Sequence, residues 1–282
     1  MLQDLECGIL ENEYIYADVS ESDLVFCFEN GCVLICRDEL DNLVLPTFND
    51  IGVKVGDYPD NNLRYMFRLN NRNCFLLQNN ICKLENDYFH YENVRNLRQL
   101  QSKDICFAVM TAWHLYTWYC ANKYCGRCGA LNVHDASERM MRCPECGNMV
   151  YPKISPAVII AVTDGERLLL SKYAGRNYNR FALLAGYTEI GETLEQTVRR
   201  EVMEEVGLKV KNIRYYKSQP WGIDGNILMG FYCDLDGDDN IKLDRTELSH
   251  AAWYRRNNLP CEDDGISLTR EMIRMFNENK NP

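Results

Sequence analysis

Two Cys-x-x-Cys pairs, Cys125–Cys128 and Cys143–Cys146, constrain this chain more than any other local feature. Fourteen residues separate the pairs, and each pair is followed directly by a glycine, Gly129 or Gly147. Four thiolates complete the tetrahedral coordination of one Zn²⁺ ion and leave no open position, so this spacing predicts a closed, structural zinc ribbon with one zinc per chain. Two redox-active pairs, plain buried thiols and an iron site are the alternatives for the same residues.

The other cysteines and the overall charge indicate the compartment. Since the chain is long and rich in core-forming residues, a secreted disulfide scaffold is disfavoured. Ten scattered cysteines are expected to act as small buried hydrophobes, and they are Cys7, Cys27, Cys32, Cys36, Cys74, Cys82, Cys106, Cys120, Cys233 and Cys261. The net charge of -10 excludes a global attraction for nucleic acid or anionic membranes. The acidic N-terminus does not resemble a signal peptide, and the longest apolar run, Ala157–Val162, is too short to span a membrane, so a cytoplasmic protein is expected.

Four segments are expected along the chain. Short β-type runs alternate with Asn, Asp and Gly up to about residue 100, which predicts a β-rich N-terminal domain over 1–100. Apolar residues at helical spacing predict a linking helix within 101–122, and the ribbon occupies 123–151. Residues 152–282 mix strand and helix patterns, which favours an α+β fold or an α/β/α sandwich.

An acidic helix is predicted near the middle of the last segment. Its apolar stripe recurs at every fourth position, at Leu194, Val198, Val202 and Val206. Gly207 is placed to end the helix, and Glu201, Glu204 and Glu205 share one of its faces. Three carboxylates this close repel one another unless cations bind among them, and hard oxygen ligands suit Mg²⁺ or Mn²⁺. A solvated acidic face is the alternative.

Residues 186–208 match the pattern G-x5-E-x7-R-E-U-x-E-E-x-G-U, in which U is an apolar residue. This pattern resembles the signature of the Nudix hydrolases and implies metal-dependent hydrolysis of a pyrophosphate bond on an α/β/α sandwich. By this resemblance Glu201, Glu204 and Glu205 are catalytic metal ligands, and one of Glu201 or Glu205 is also the general base. The resemblance further implies that the Ala185 carbonyl and Glu247 reach the metals, and that Glu192 and Arg200 form a structural ion pair.

A zinc ribbon directly before such a segment resembles the NAD(H) pyrophosphatase family. That family carries Ser-Gln-Pro-Trp-Pro-Phe-Pro-x-Ser after the signature, and this chain has Ser218-Gln219-Pro220-Trp221 followed by the different sequence 222–226. The resemblance implies further substrate-binding residues at Glu138, Tyr151, Tyr187 and Thr269. Tyr151 and Tyr187 match aromatic residues that stack on adenine, and the ribbon tyrosine comes from the partner subunit, which implies a homodimer.

The resulting hypothesis is hydrolysis of NAD(H) to NMN(H) and AMP. One alternative is a Nudix hydrolase with another substrate, such as ADP-ribose or NAD-capped RNA. A third hypothesis is a non-catalytic ribbon that binds RNA or protein, since the ribbon carries Lys123, Arg127, Arg139 and Arg142. The acidic balance of the whole chain and its complete carboxylate set speak against this third hypothesis.

Overall fold

The computed structural model describes residues 1–5, 8–15, 17–39, 42–52, 63–78, 88–99, 102–175, 180–260 and 264–282. The chain forms two compact units. We call residues 2–153 and 222–225 the N-terminal unit, and Met1 with residues 154–221 and 226–282 the C-terminal unit. None of the described helices combines the length and the apolar composition that a membrane crossing requires.

The N-terminal unit begins with two sheets of four strands each, ordered β1-β6-β7-β2 and β3-β4-β5 with β8 beside β4. The strands are β1 (Leu10–Glu11), β2 (Leu24–Phe26), β3 (Phe28–Glu29), β4 (Cys32–Arg37), β5 (Leu43–Val44), β6 (Leu63–Leu69), β7 (Arg72–Leu77) and β8 (Phe89–Asn93). Their buried side chains form a shared core that includes Val25, Leu34, Phe48 and Phe75. The β-type runs in the sequence therefore correspond to strands of a β-sandwich core.

A single α-helix, α1 (Lys103–Ala121), follows a short 3₁₀ turn at Asn96–Gln99. Ser102 caps α1 by accepting a hydrogen bond from the Ile105 N–H. Of the six positions predicted to form its apolar face, three are buried, namely Val109, Ala112 and Tyr119, and three are half-buried, namely Ile105, Trp113 and Tyr116. The rings of Trp113 and Tyr116 instead pack on Phe28, so α1 makes contacts on more than one side.

The ribbon contributes three short strands, β9 (Val133–His134), β10 (Met141–Arg142) and β11 (Met149–Val150). Each Cys-x-x-Cys pair forms the same turn, in which the glycine N–H bonds the carbonyl of the first cysteine. Gly129 and Gly147 have φ values of 78° and 70°, a left-handed conformation that favours glycine. The turn also aims the Arg127 N–H at the Cys125 Sγ, and these backbone bonds lower the pKa of Cys125 to about 6.

The four thiols converge. The Sγ atoms of Cys125 and Cys146 are 3.6 Å apart, those of Cys128 and Cys143 are 3.4 Å apart, and all four lie within 4.8 Å of one another. Zn–S bonds of about 2.3 Å in a tetrahedron place the sulfurs at roughly such separations. The quartet therefore fits one structural zinc ion.

Residues 222–225 belong to the N-terminal unit, although they connect two strands of the C-terminal sheet. A Cβ atom at Gly222 would overlap the Met110 carbonyl of α1. Asp224 forms an ion pair of 2.8 Å with Arg95. A proline at position 222 would not fit here, so the sequence Gly222–Gly225 suits its local packing in this unit.

The C-terminal unit is one six-stranded sheet between two helices. Its strands are β12 (Ser155–Asp164), β13 (Arg167–Tyr173), β14 (Leu184–Tyr187), β15 (Val210–Trp221), β16 (Asn226–Leu235) and β17 (Leu248–Arg255), and its helices are α2 (Leu194–Val206) and α3 (Leu268–Asn277). The order is β15-β16-β12-β13-β17, with β14 paired to the first half of β12.

Alternate residues of β12 face the two helices. Val158, Ile160 and Val162 share a core with Val198 and Val202 of α2. On the opposite face, Ile159 and Ala161 share a core with four residues of α3: Leu268, Met272, Ile273 and Phe276. This period of two produces the α/β/α sandwich and confirms the predicted fold class.

The scattered cysteines are mostly internal, as expected. Cys27, Cys36, Cys74, Cys106 and Cys233 are buried, and the predictions for Cys7, Cys82 and Cys261 fall outside the described residues. The prediction was wrong for Cys120, which is exposed in the last turn of α1, and only partly right for Cys32, which is half-buried at the start of β4.

Loss of the zinc site should unfold the ribbon. We expect Cys143→Ser to lower the zinc content below one ion per chain and the unfolding temperature by on the order of 10 °C, because the metal supplies much of the folding free energy of a ribbon. Elemental analysis and calorimetry measure both. Cys120→Ser is the matched control, since Cys120 lies outside the quartet. Full zinc content in Cys143→Ser would contradict the assignment. Iron bound to the native protein in place of zinc would favour the alternative of an iron site.

Candidate active site

Local signals at both ends define α2, which carries most of the candidate residues. The Thr193 hydroxyl accepts from the Gln196 N–H at 3.2 Å, and the Gln196 side chain accepts from the Thr193 N–H at 2.8 Å. This capping box starts the helix, and Gly207, with φ of 68°, ends it. Val202 on the apolar stripe is fully buried.

Glu201 lies directly against the backbone of β14. A Cβ atom at Gly186 would overlap the Glu201 carboxylate. The need for glycine here is therefore one of space, since Gly186 has no left-handed φ. Ala185, whose carbonyl was predicted to face a metal, precedes it in β14 and pairs with Ile159 of β12.

Arg200 connects the segment before α2, which includes Tyr187 and Glu192, to the helix itself. Its Nε and Nη2 atoms donate to the two carboxylate oxygens of Glu192 at 2.6 and 2.9 Å, and Nη2 also donates to the Tyr187 carbonyl at 2.9 Å. The bond from Arg200 lowers the pKa of Glu192 to about 2. Nη1 donates to Glu201 at 2.7 Å and to Glu204 at 2.9 Å. All five guanidinium hydrogens are thus used, and the group holds two of the three predicted metal ligands.

Glu205 has the most unusual surroundings of the acidic residues. It is 2% exposed, and its Oε2 atom has no hydrogen-bond partner among the described residues. Burial, together with the negative charges of Glu201, Glu247 and Asp244, raises the pKa of Glu205 to about 8. Burial raises the pKa of Glu201 as well. A buried carboxylate without a partner, next to other acids, has the donor chemistry that a hard divalent cation requires.

The loop before β17 brings Glu247 toward α2. The Asp244 N–H donates to the Glu205 carbonyl at 2.9 Å, and the Glu247 carbonyl accepts from the Ala174 N–H at 2.8 Å. Glu247 itself is exposed and raises the pKa of both Glu201 and Glu205. Sequence reasoning did not single out Asp244 as part of this acidic group, although it lies in the same Asp-Arg-Thr-Glu segment.

These carboxylates share one region but do not converge on a single point. Within the described ranges, the cysteine quartet is the one set of three or more ligand side chains whose donor atoms lie within 4.8 Å of one another. The arginine explains the difference, because Nη1 of Arg200 holds Glu201 and Glu204 while Glu205 has no such bond. When Mg²⁺ or Mn²⁺ is bound, Glu201, Glu204, Glu205 and Glu247 would hold it.

An exposed aromatic ring lies beside the acidic group. Tyr187 is 53% exposed, and its hydroxyl is hydrogen-bonded to the carboxamide of Asn226. The carbonyl of the same residue bonds Arg200, so one residue links the ring to the signature helix. A flat, half-exposed ring at this place is suited to stacking on a nucleobase.

The segment Ser218–Trp221 forms the end of β15 and pairs with the start of β16. Ser218 and Trp221 are half-buried and Pro220 is exposed. Gln219 is fully buried, and its amide bonds the Ile266 carbonyl and the Leu268 N–H, both at 2.8 Å. Its side chain therefore holds the start of α3, and its contact with substrate stays a prediction.

Thr269 is the second residue of α3, directly after Leu268. The helix is capped by the Ser267 side chain, which accepts from the Arg270 N–H at 3.4 Å. Thr269 is half-buried. Gln219 thus positions the turn of helix on which this predicted substrate residue lies.

In the N-terminal unit, the two ribbon residues that the resemblance singled out contact each other. The Tyr151 hydroxyl donates to the Glu138 carboxylate at 2.7 Å, and this bond raises the pKa of Tyr151. The tyrosine is 53% exposed. The pair therefore presents an aromatic ring on the ribbon surface.

Comparison with known proteins agrees with these features. Residues 153–276 match the model of the NUDIX domain, and residues 121–151 match that of the NADH pyrophosphatase zinc ribbon domain. The NAD-capped RNA hydrolase NudC of Pectobacterium atrosepticum is 36% identical over 197 residues, which cover 67% of this chain and 75% of that protein. The protein of the same name from Shigella dysenteriae is 43% identical over 159 residues, which cover 56% of this chain and 62% of that protein.

Among solved structures, the crystal structure of a NUDIX hydrolase from Nitrosomonas europaea is similar with 26% identity and a TM-score of 0.43, covering 49% of this chain and 80% of that one. The sequence relatives and the two domain matches establish the family. They confirm the predicted enzyme class, which acts on pyrophosphate bonds, and the predicted zinc and Mg²⁺ or Mn²⁺ requirement. This chain belongs to the NADH pyrophosphatase family of zinc-ribbon Nudix hydrolases.

Proposed function

We propose that this protein hydrolyses the pyrophosphate bond of NAD(H) and releases NMN(H) and AMP. The observation that carries the proposal is the buried carboxylate oxygen of Glu205, which has no hydrogen-bond partner in the described part of the chain, within an acidic group beside the half-exposed ring of Tyr187. A dinucleotide combines the two matching features, a pyrophosphate for cations to hold and a base for a ring to stack on.

Each residue has a separate task in this proposal. Glu201, Glu204, Glu205 and Glu247 would hold the divalent ions, which when bound would supply neutralisation of the pyrophosphate charge and a lower pKa for the attacking water. Glu201 or Glu205 accepts the proton of that water, and the buried position of Glu205 suits a carboxylate with a raised pKa. Arg200 keeps the loop that carries Tyr187 and Glu192 in place.

The relatives favour a second candidate substrate, because their name describes hydrolysis of NAD-capped RNA. ADP-ribose is a further candidate, since the sequence at 222–226 differs from the family pattern. Trp221, which directly precedes this segment, pairs with its last residue, Asn226. A change in the segment can therefore alter what the adjoining residues recognise.

Three further parts of the proposal concern organisation. We propose the domain boundaries 1–100, 101–122, 123–151 and 152–282, which agree with α1 at Lys103–Ala121 and with the C-terminal unit beginning at Ile154. A cytoplasmic location agrees with the fact that none of the eleven described cysteines forms a disulfide. A homodimer agrees with a group of exposed apolar side chains on the ribbon: Tyr124, Leu131, Val133, Met149 and Tyr151.

A substrate panel tests the proposed reaction. With Mn²⁺, NADH should yield AMP and reduced NMN, and we expect NADH to have the highest kcat/KM among NADH, NAD⁺, ADP-ribose and NAD-capped RNA. Separation of products by chromatography gives the rates. Absence of NADH turnover would refute the proposal, and a higher kcat/KM for capped RNA or ADP-ribose would select that substrate instead.

Replacing one carboxylate tests the metal role. Glu205→Gln should lower kcat by roughly a hundredfold or more, the scale expected when one group that stabilises transition-state charge is lost. Its metal-free unfolding temperature should not fall, because a neutral amide replaces a buried acid. Glu195→Gln is the matched control, an exposed glutamate in the first turn of the same helix. Full activity in Glu205→Gln would contradict the assignment.

The oligomeric state tests the role of the ribbon surface. Light scattering should give twice the chain mass of 32.9 kDa for the native protein. Val133→Asp should shift the mass to that of one chain, because a charge in an apolar interface is costly to bury. Ile9→Asp, at another exposed apolar position, should stay dimeric. A native protein with the mass of one chain would refute the homodimer.

A further inference from the structure

Asn226 and Tyr187 form a side-chain pair that the family resemblance does not assign. The Tyr187 hydroxyl donates to Oδ1 of Asn226 at 3.2 Å, and Nδ2 of Asn226 donates back to the same hydroxyl at 3.0 Å. Asn226 is 8% exposed, whereas Tyr187 is 53% exposed. The Tyr187 hydroxyl is therefore hydrogen-bonded to a buried carboxamide, while much of the ring remains accessible to solvent.

The sheet register explains why these two residues meet. Tyr187 pairs with Ala157 on one side of β12, and Asn226 pairs with Ser155 on the other side. The tyrosine side chain thus spans the width of β12 near its start. A residue much shorter than tyrosine at 187 would not reach across this strand.

The backbone of Asn226 lies within the sheet, between two neighbouring strands. Asn226 is the first residue of β16 and has strand neighbours on both sides, Ser155 in β12 and Trp221 in β15. At the other end of the tyrosine, the Arg200 guanidinium bonds the Tyr187 carbonyl at 2.9 Å. The residue is thus fixed at its backbone by the signature helix and at its hydroxyl by Asn226.

We propose that Asn226 is a positioning residue of the substrate site, which fixes the Tyr187 ring as a preformed platform for a nucleobase. The inference rests on the proposed function in that the substrate carries a base next to its pyrophosphate. A tyrosine whose hydroxyl has no such hydrogen bond samples several rotamers, and it loses this conformational entropy when a base binds. A ring that is already ordered removes this cost from binding, so Asn226 strengthens base binding without touching the base.

The test is a double-mutant cycle on Asn226→Ala and Tyr187→Phe. Each single change removes the same contact between the hydroxyl and the carboxamide and keeps the aromatic ring. We expect each to raise the KM for NADH and the Kd for AMP by roughly threefold to tenfold, with a much smaller change in kcat. The double variant should be no weaker than the single ones, because the shared bond can be lost only once. Steady-state kinetics and calorimetry with AMP provide these values.

Two controls separate positioning from general damage. Asn240→Ala removes an exposed carboxamide that bonds Asp238 on the loop after β16, and it should leave both constants unchanged. If Asn226→Ala fails to fold, Tyr187→Phe carries the test alone, because it removes the bond from its exposed end. An unchanged KM and Kd in Tyr187→Phe, or additive losses in the double variant, would overturn the inference.

The outcome is separable from that of the proposed function. NADH turnover by the native protein, with unchanged AMP affinity in both variants, would leave the function standing and refute the platform. Weaker AMP binding in both variants, without NADH turnover by the native protein, would support the platform and refute the function. A native protein that does not bind AMP would refute the platform.

Discussion

The guanidinium of Arg200 is the interaction on which the rest of the site depends. It joins Glu192 and the Tyr187 carbonyl, both in the segment before α2, to Glu201 and Glu204 on α2. The same loop and helix are also joined by the Thr197 hydroxyl, which donates to Glu192 at 3.0 Å, and by the close approach of Glu201 to Gly186. The loop in turn carries the Tyr187 ring, so one side chain sets the distance between the acidic group and the candidate base platform.

The negative charges of the acidic group are neutralised only in part by the side chains of the protein. Arg200 neutralises part of the charge of Glu192, Glu201 and Glu204, but Glu205 is outside its reach. Burial and the neighbouring acids make the charged form of Glu205 costly, which is why its pKa rises to about 8. If Glu205 is a metal ligand as proposed, a proton and a divalent cation would compete for the same buried oxygen, and cation binding would let these carboxylates ionise together.

The sequence predicted those parts of the molecule that local patterns encode. The Cys-x-x-Cys spacing, the stripe of Val198, Val202 and Val206, and the glycine after the helix each depend on residues close in the chain. The role of Gln219 was not predictable, because it depends on hydrogen bonds to Ile266 and Leu268 nearly 50 residues away. The packing of α1 on Phe28 was not predictable for a related reason, since the partner ring is distant in sequence and the periodicity of this helix is weak.

The pair of Tyr187 and Asn226 illustrates what a motif comparison omits. At position 226 the family pattern has serine, so alignment alone presents asparagine as a departure. The register of β14, β12 and β16 instead places this carboxamide within hydrogen-bond distance of the Tyr187 hydroxyl. A buried amide without a partner costs free energy, so the two residues depend on each other. Asn226, the residue that departs from the family pattern, therefore forms a pair with Tyr187, the residue whose ring is proposed to bind the base.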